Sequence, residues 1–193
     1  MAKIVCLGDS LTAGYPYDKE LSWVQLCSKE LLDINLINAG ISNHTTGDML
    51  ARFDKDVTPH NPNAVFIMGG TNDAWQEVHL LDTQNNIKEM INKTININAL
   101  PILGMLPPII KEKVQMENVE QFNKQLKIIR NWLKEYSQEQ GIRILDFYTP
   151  LCKVDSDQGD PHLFVDGGHP NRKGYQTLAD NVKEDLRNII QIL

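Results

Sequence analysis

Short apolar runs at residues 4–7, 34–38, 64–68, 100–106 and 142–146 alternate with stretches in which apolar residues recur every three or four positions. A run of that length, bounded by Gly, Asn or Pro, reads as a buried strand, whereas the longer spacing reads as a helix packed by one face. Strand and helix cannot exchange places, because their side chains repeat with different periods. Five alternations predict an α/β fold: a five-stranded parallel sheet covered on both faces, a three-layer αβα sandwich with right-handed crossovers. The helices are expected at 22–32, where Ser22 and Gln25 have the spacing of a capping box, at 46–57 and at 82–98. Another runs from 119 to a stop at Gly141, and the last follows a cap at Asn171.

The 193 residues suffice for one core and are too few for two, so residues 1–193 read as a single domain. No segment approaches the length of a membrane span, and the apolar run before Gly8 is too short for a secretory signal. A cytoplasmic protein is expected. Cys6, Cys27 and Cys152 are odd in number and lack metal-ligand spacing, which fits a reducing compartment. A net charge of −6 with scattered lysines and arginines disfavours nucleic acid and anionic membranes as partners.

Parallel sheets collect their ligands at the carboxyl ends of the strands, and the residues placed there carry chemistry. The first strand runs into Gly8-Asp9-Ser10-Leu11-Thr12-Ala13-Gly14, which makes Ser10 a nucleophile candidate. A serine needs a base, a group that orients the base, and donors for the oxyanion. Asp166-Gly167-Gly168-His169 places a carboxylate and an imidazole three residues apart on one loop. His44 and His162 are rival bases in loops, and the partner at Asp166 favours His169. Gly69-Gly70-Thr71-Asn72-Asp73 puts an amide after the third strand, and Asn38-Ala39-Gly40 offers a backbone N–H after the second. Asp9 and Asp73 read as structural carboxylates that hold their turns.

These four blocks, in this order along the whole chain, resemble the SGNH (GDSL) hydrolase family. The resemblance implies Ser10 as nucleophile, His169 as base, Asp166 as its orienter, and an oxyanion hole built by the Ser10 N–H, the Gly40 N–H and the Asn72 side chain. It implies the flavodoxin-like strand order 2-1-3-4-5, which puts the serine strand beside the strands bearing Gly40 and Asn72. One departure is visible: related sequences commonly carry glycine where Asn43 stands, and asparagine shares glycine's tolerance of positive φ.

The reaction expected is hydrolysis of a small carboxylic ester through an acyl-enzyme, with no metal or organic cofactor and no predicted homo-oligomer. Polar residues in 107–117 and 153–164 favour a short acyl chain. In-family alternatives are a carbohydrate O-acetylesterase and a lysophospholipase or thioesterase. Outside the family stand a metal-dependent phosphotransfer protein using Asp9, Asp73 and Asp166, and a non-catalytic binding module.

Overall fold

The computed structural model describes residues 1–191. Its strands are β1 (Ala2–Gly8), β2 (Ile34–Gly40), β3 (Ala64–Met68), β4 (Leu100–Met105) and β5 (Arg143–Asp146), all parallel, in the order 2-1-3-4-5. Every residue of β3 and the last five of β1 are buried, as strands covered on both faces must be. The helices are α1 (Ser10–Ala13), α2 (Trp23–Glu30), α3 (Thr46–Ala51), α4 (Phe53–Asp56), α5 (Thr71–Trp75), α6 (Leu80–Asn96), α7 (Val119–Gln140) and α8 (Arg172–Ile190).

Helices α2 and α8 pack on each other and on the β2 and β5 ends of one face, while α6 and α7 cover β3 to β5 on the other. On the first face Trp23 meets Phe66 and Phe147 edge-on, with ring centroids 5.0 and 4.9 Å apart. Such pairs add roughly 0.5–1.5 kcal/mol each beyond the area they bury. The local signals act where the sequence places them. Ser22 accepts the Gln25 N–H and Asn171 the Gly174 N–H. Gly141 ends α7 at φ 64°, a left-handed conformation that glycine adopts without a Cβ clash.

Three features depart from the sequence reading. The helix expected over 46–57 divides at Arg52, whose φ of −100° and ψ of 2° leave the helical region, and its cap is Thr45 in a capping box with Asp48. Thr46 is instead the first helical residue, fully buried. Two short helices, α1 and α5, stand where the sequence reads as turns, because four or five residues are too few to display a 3.6-residue period.

Gly40 is a packing residue. A Cβ there would lie 2.2 Å from the Ala13 nitrogen and 2.7 Å from the Thr12 carbonyl carbon, so the end of β2 touches the backbone of the helix that begins at Ser10. Gly40→Ala should therefore push α1 away and cost about 1–3 kcal/mol, the range for overpacking a tight site. Urea denaturation should show a lower midpoint than wild type, and an unchanged midpoint would mean that the two segments are not held in contact.

Candidate active site

Ser10 is the first residue of α1. Asp9 caps that helix by accepting the Leu11 N–H on Oδ1 at 2.9 Å. The cap turns the chain sharply at the end of β1 and leaves the Ser10 N–H, as a first-turn donor, without an intrahelical partner. Ser10 Oγ lies 3.0 Å from His169 Nε2, although the two are 159 residues apart.

The histidine loop is folded around its own carboxylate. Asp166 Oδ1 accepts the Gly168 and His169 N–H groups, each at 2.8 Å, and His169 Nδ1 lies 2.9 Å from Oδ2. Because Asp166 is an acceptor, the ring proton belongs on Nδ1 and Nε2 faces the serine hydroxyl as a base. Partial burial works against ionisation of Asp166, but the Gly168 N–H and the imidazole outweigh it and hold the carboxyl below its usual range. A deprotonated carboxylate in this position favours the charged form of the imidazole.

The other expected residues divide. Asn72 donates from Nδ2 to the His44 carbonyl at 2.9 Å, which uses one of its two amide hydrogens and orients the group. The Gly40 N–H donates to Asn38 Oδ1 at 2.9 Å, so its only hydrogen is already engaged. Sequence reading offered that N–H to the oxyanion, and the local turn closed by Asn38 claims it instead. The same Asn38 side chain donates to the Thr12 carbonyl and to Ser22 Oγ, joining β2 to α1 and α2. His44 Nδ1 accepts from Arg52 Nε at 3.1 Å, and His162 lies on a one-turn 3-10 segment, so neither rival base is bonded to Ser10.

Arg52 and Tyr15 escaped the sequence reading. Arg52, only 9% exposed, donates to the carbonyls of Gly8 and Ala39 at 2.8 Å each and pairs with Asp56 at 2.8 Å. A charged residue inside the apolar stripe of Met49, Leu50 and Phe53 was the available clue. Asp73, fully buried, accepts the Thr46 N–H at 2.9 Å, the Thr46 hydroxyl, and the Thr83 hydroxyl at 3.1 Å. It thus carries the structural role expected of it, by anchoring the loop after β2. Tyr15, 46% exposed, sets its ring edgewise on His169 with centroids 4.6 Å apart. The three carboxylates that the metal alternative needs together have separate duties: Asp9 caps α1, Asp73 binds the two threonines and Asp166 holds His169.

The sequence pattern of the GDSL-like lipase/acylhydrolase family matches residues 6–177. The chain belongs to that family. An arylesterase of Vibrio mimicus is 36% identical over 191 residues, covering 95% of this chain and 88% of the relative. Thioesterase 1/protease 1/lysophospholipase L1 of Escherichia coli K12 is 24% identical over 97% and 84% of the two chains. Among solved structures, a G-D-S-L family protein of Desulfitobacterium hafniense DCB-2 superposes with a TM-score of 0.83 at 31% identity, covering 95% and 99%. This GDSL hydrolase is accordingly an ester hydrolase. Among its described residues no helix is long and apolar enough to cross a membrane.

Asp9 generates a prediction about stability. Burial pushes its carboxyl from the ordinary 3.8 up to about 7; the Leu11 N–H opposes the rise and nearby Asp73 adds to it. A folded state that holds a proton more tightly than the unfolded chain loses stability as pH rises between those two values. Asp9→Asn keeps a capping oxygen and cannot ionise. Urea midpoints of wild type should therefore fall from pH 4 to pH 7 by more than those of the variant. Parallel curves would show that Asp9 titrates alike in both states.

Proposed function

We propose that this GDSL hydrolase, acting as a single catalytic domain, cleaves short-chain acyl esters through an acyl-enzyme on Ser10. The observation that carries the reading is the unbroken chain of Ser10 Oγ, His169 and Asp166, with links of 3.0 and 2.9 Å. His169 takes the hydroxyl proton as Oγ attacks the acyl carbon, then returns it to the leaving alcohol. It next deprotonates the water that releases the carboxylic acid.

The oxyanion is met by the Ser10 N–H, the second amide hydrogen of Asn72 and a donor from the loop after β2. In that loop the N–H groups of Ile41, His44, Thr45 and Thr46 have acceptors in Gly8, Ile41, Asp48 and Asp73. Among the described residues the N–H groups of Ser42 and Asn43 remain, and Asn43 is the one directly beside the His44 carbonyl that holds Asn72; its φ of 67° is the left-handed conformation that asparagine tolerates. We assign the third donor to the Asn43 N–H in place of that of Gly40.

The substrate's apolar part meets Tyr15, Ile41, Trp75 and Val165, which are 40–47% exposed and each lie within five residues of Ser10, Asn43, Asn72 or Asp166. Ile109, Ile110 and Leu163, apolar residues of the segments after β4 and β5, are all buried. The four exposed groups receive an aryl or short alkyl portion, at about 0.8 kcal/mol per methylene covered. Of the relatives, the arylesterase is named for an aryl ester and the acetylxylan esterase, which aligns over 49 residues, for an acetyl ester.

Ser10→Ala should abolish hydrolysis of p-nitrophenyl acetate without loss of fold, and an organophosphate should label the Ser10 peptide alone. An active variant would remove the assignment. Asn72→Ala should lower kcat by about 100- to 1,000-fold with a smaller change in KM, the mark of a donor used chiefly in the transition state. Across p-nitrophenyl esters from acetate to palmitate, kcat/KM should be highest for the short acyl chains. A maximum at twelve carbons or more would mean that a lipid groove is present.

A further inference from the structure

A second concave site lies away from the catalytic residues. A cavity of about 1,050 Å³ opens between α7, the segment after β4 and the loops that follow β5, and Ser10, Asn72, Asp166 and His169 are not among its walls. That is the size of a small-ligand site. In a chain of net charge −6, six lysine or arginine side chains line it against three carboxylates.

Lys127, Arg130 and Lys134 stand three and four residues apart on one face of α7, and among the described residues no carboxylate lies within 4.0 Å of any of them. Arg130 is the informative member. Its guanidinium is partly buried, stacked 4.8 Å from the centroid of the Tyr148 ring, and gives one hydrogen bond to the protein, to the Pro107 carbonyl at 3.0 Å. Among the described residues four of its five N–H donors have no acceptor. Burial holds its proton affinity below that of a free arginine. A partly buried, unpaired cation is costly to keep. The contact with Pro107 uses one N–H and leaves the rest of the fork, which matches two oxygens of a carboxylate or phosphate, unused.

We propose that this cavity binds an organic polyanion, a phosphate ester or a polycarboxylate, with one oxyanion group on Arg130 and further charge on Lys127 and Lys134. Seven residues of helix separate the two lysines by about 10 Å along the axis, so the ligand bears charge at more than one point. Its uncharged body rests on Met105, Ile144 and Tyr148, which are partly exposed in the cavity wall. Ile110, in the same wall, donates its N–H to the Gly167 carbonyl at 2.8 Å, which places the occupant against the segment that supports the catalytic loop.

Isothermal titration at low ionic strength with pyrophosphate, and separately with citrate, tests the proposal. One saturable equivalent should bind with at least one of the two, and which one distinguishes a phosphate from a carboxylate ligand. Arg130→Gln, and independently the double variant Lys127→Gln/Lys134→Gln, should each weaken binding tenfold or more. Added salt should weaken it further. Ser10→Ala and Lys124→Gln, the latter outside the cavity, should bind as wild type does. If Arg130→Gln fails to fold, the lysine pair on the exposed side of α7 decides. No saturable binding of either probe up to about 10 mM, or equal weakening by Lys124→Gln, would show a solvated cationic face without a site.

Discussion

The active geometry depends on a layer of buried polar groups beneath the ends of the central strands. Arg52 binds the Gly8 and Ala39 carbonyls, at the ends of β1 and β2, through one guanidinium, and Asp73 ties the start of α3 to the segment after β3. Strand ends would otherwise be the loosest part of a parallel sheet, because the ladder stops there. Buried charges are retained at a cost, and removing one partner of such a set typically loses 3–5 kcal/mol. Here that cost is spent on fixing the three loops that carry Ser10, Asn43 and Asn72 relative to one another.

Against this fixed platform His169 arrives from a distant part of the chain. The His169 loop is shaped by its own Asp166 carboxylate, which binds two backbone N–H groups as well as the imidazole. One residue thereby sets the turn, the ring's orientation and its tautomer. The imidazole is then bracketed by Ser10 on one side and the ring of Tyr15 on another. The Tyr15 carbonyl is itself held by the buried Tyr175 hydroxyl of α8 at 2.7 Å. Ser10 and His169 are thus positioned by separate elements that meet only in the folded molecule, which is why so short a motif as Gly8-Asp9-Ser10 means little alone.

Much of this was legible in the sequence because it rests on local rules. The alternation of apolar runs with helical periods determined a covered parallel sheet. The cap at Asn171, the stop at Gly141 and the buried β3 followed from residue type and spacing. The placement of Ser10 and Asn72 past strand ends followed from the topology that such alternation permits. What is short escaped: α1 and α5 have too few residues for a period, and the division at Arg52 interrupts an apolar stripe that reads as continuous.

The sequence by itself determined the fold class, which depends on one dominant period, and marked Ser10, Asp166 and His169 as candidates, the last two because they are close in the chain. Only the tertiary structure decided which N–H groups are free. Gly40 reads as a donor until its hydrogen is found on Asn38 and its missing Cβ against Ala13. Arg52 reads as an interruption until its guanidinium is found on two carbonyls contributed by different strands. A hydrogen bond is consumed by whichever partner the fold brings within about 3 Å, and that partner is fixed by packing among segments whose separation along the chain carries no information about their separation in space.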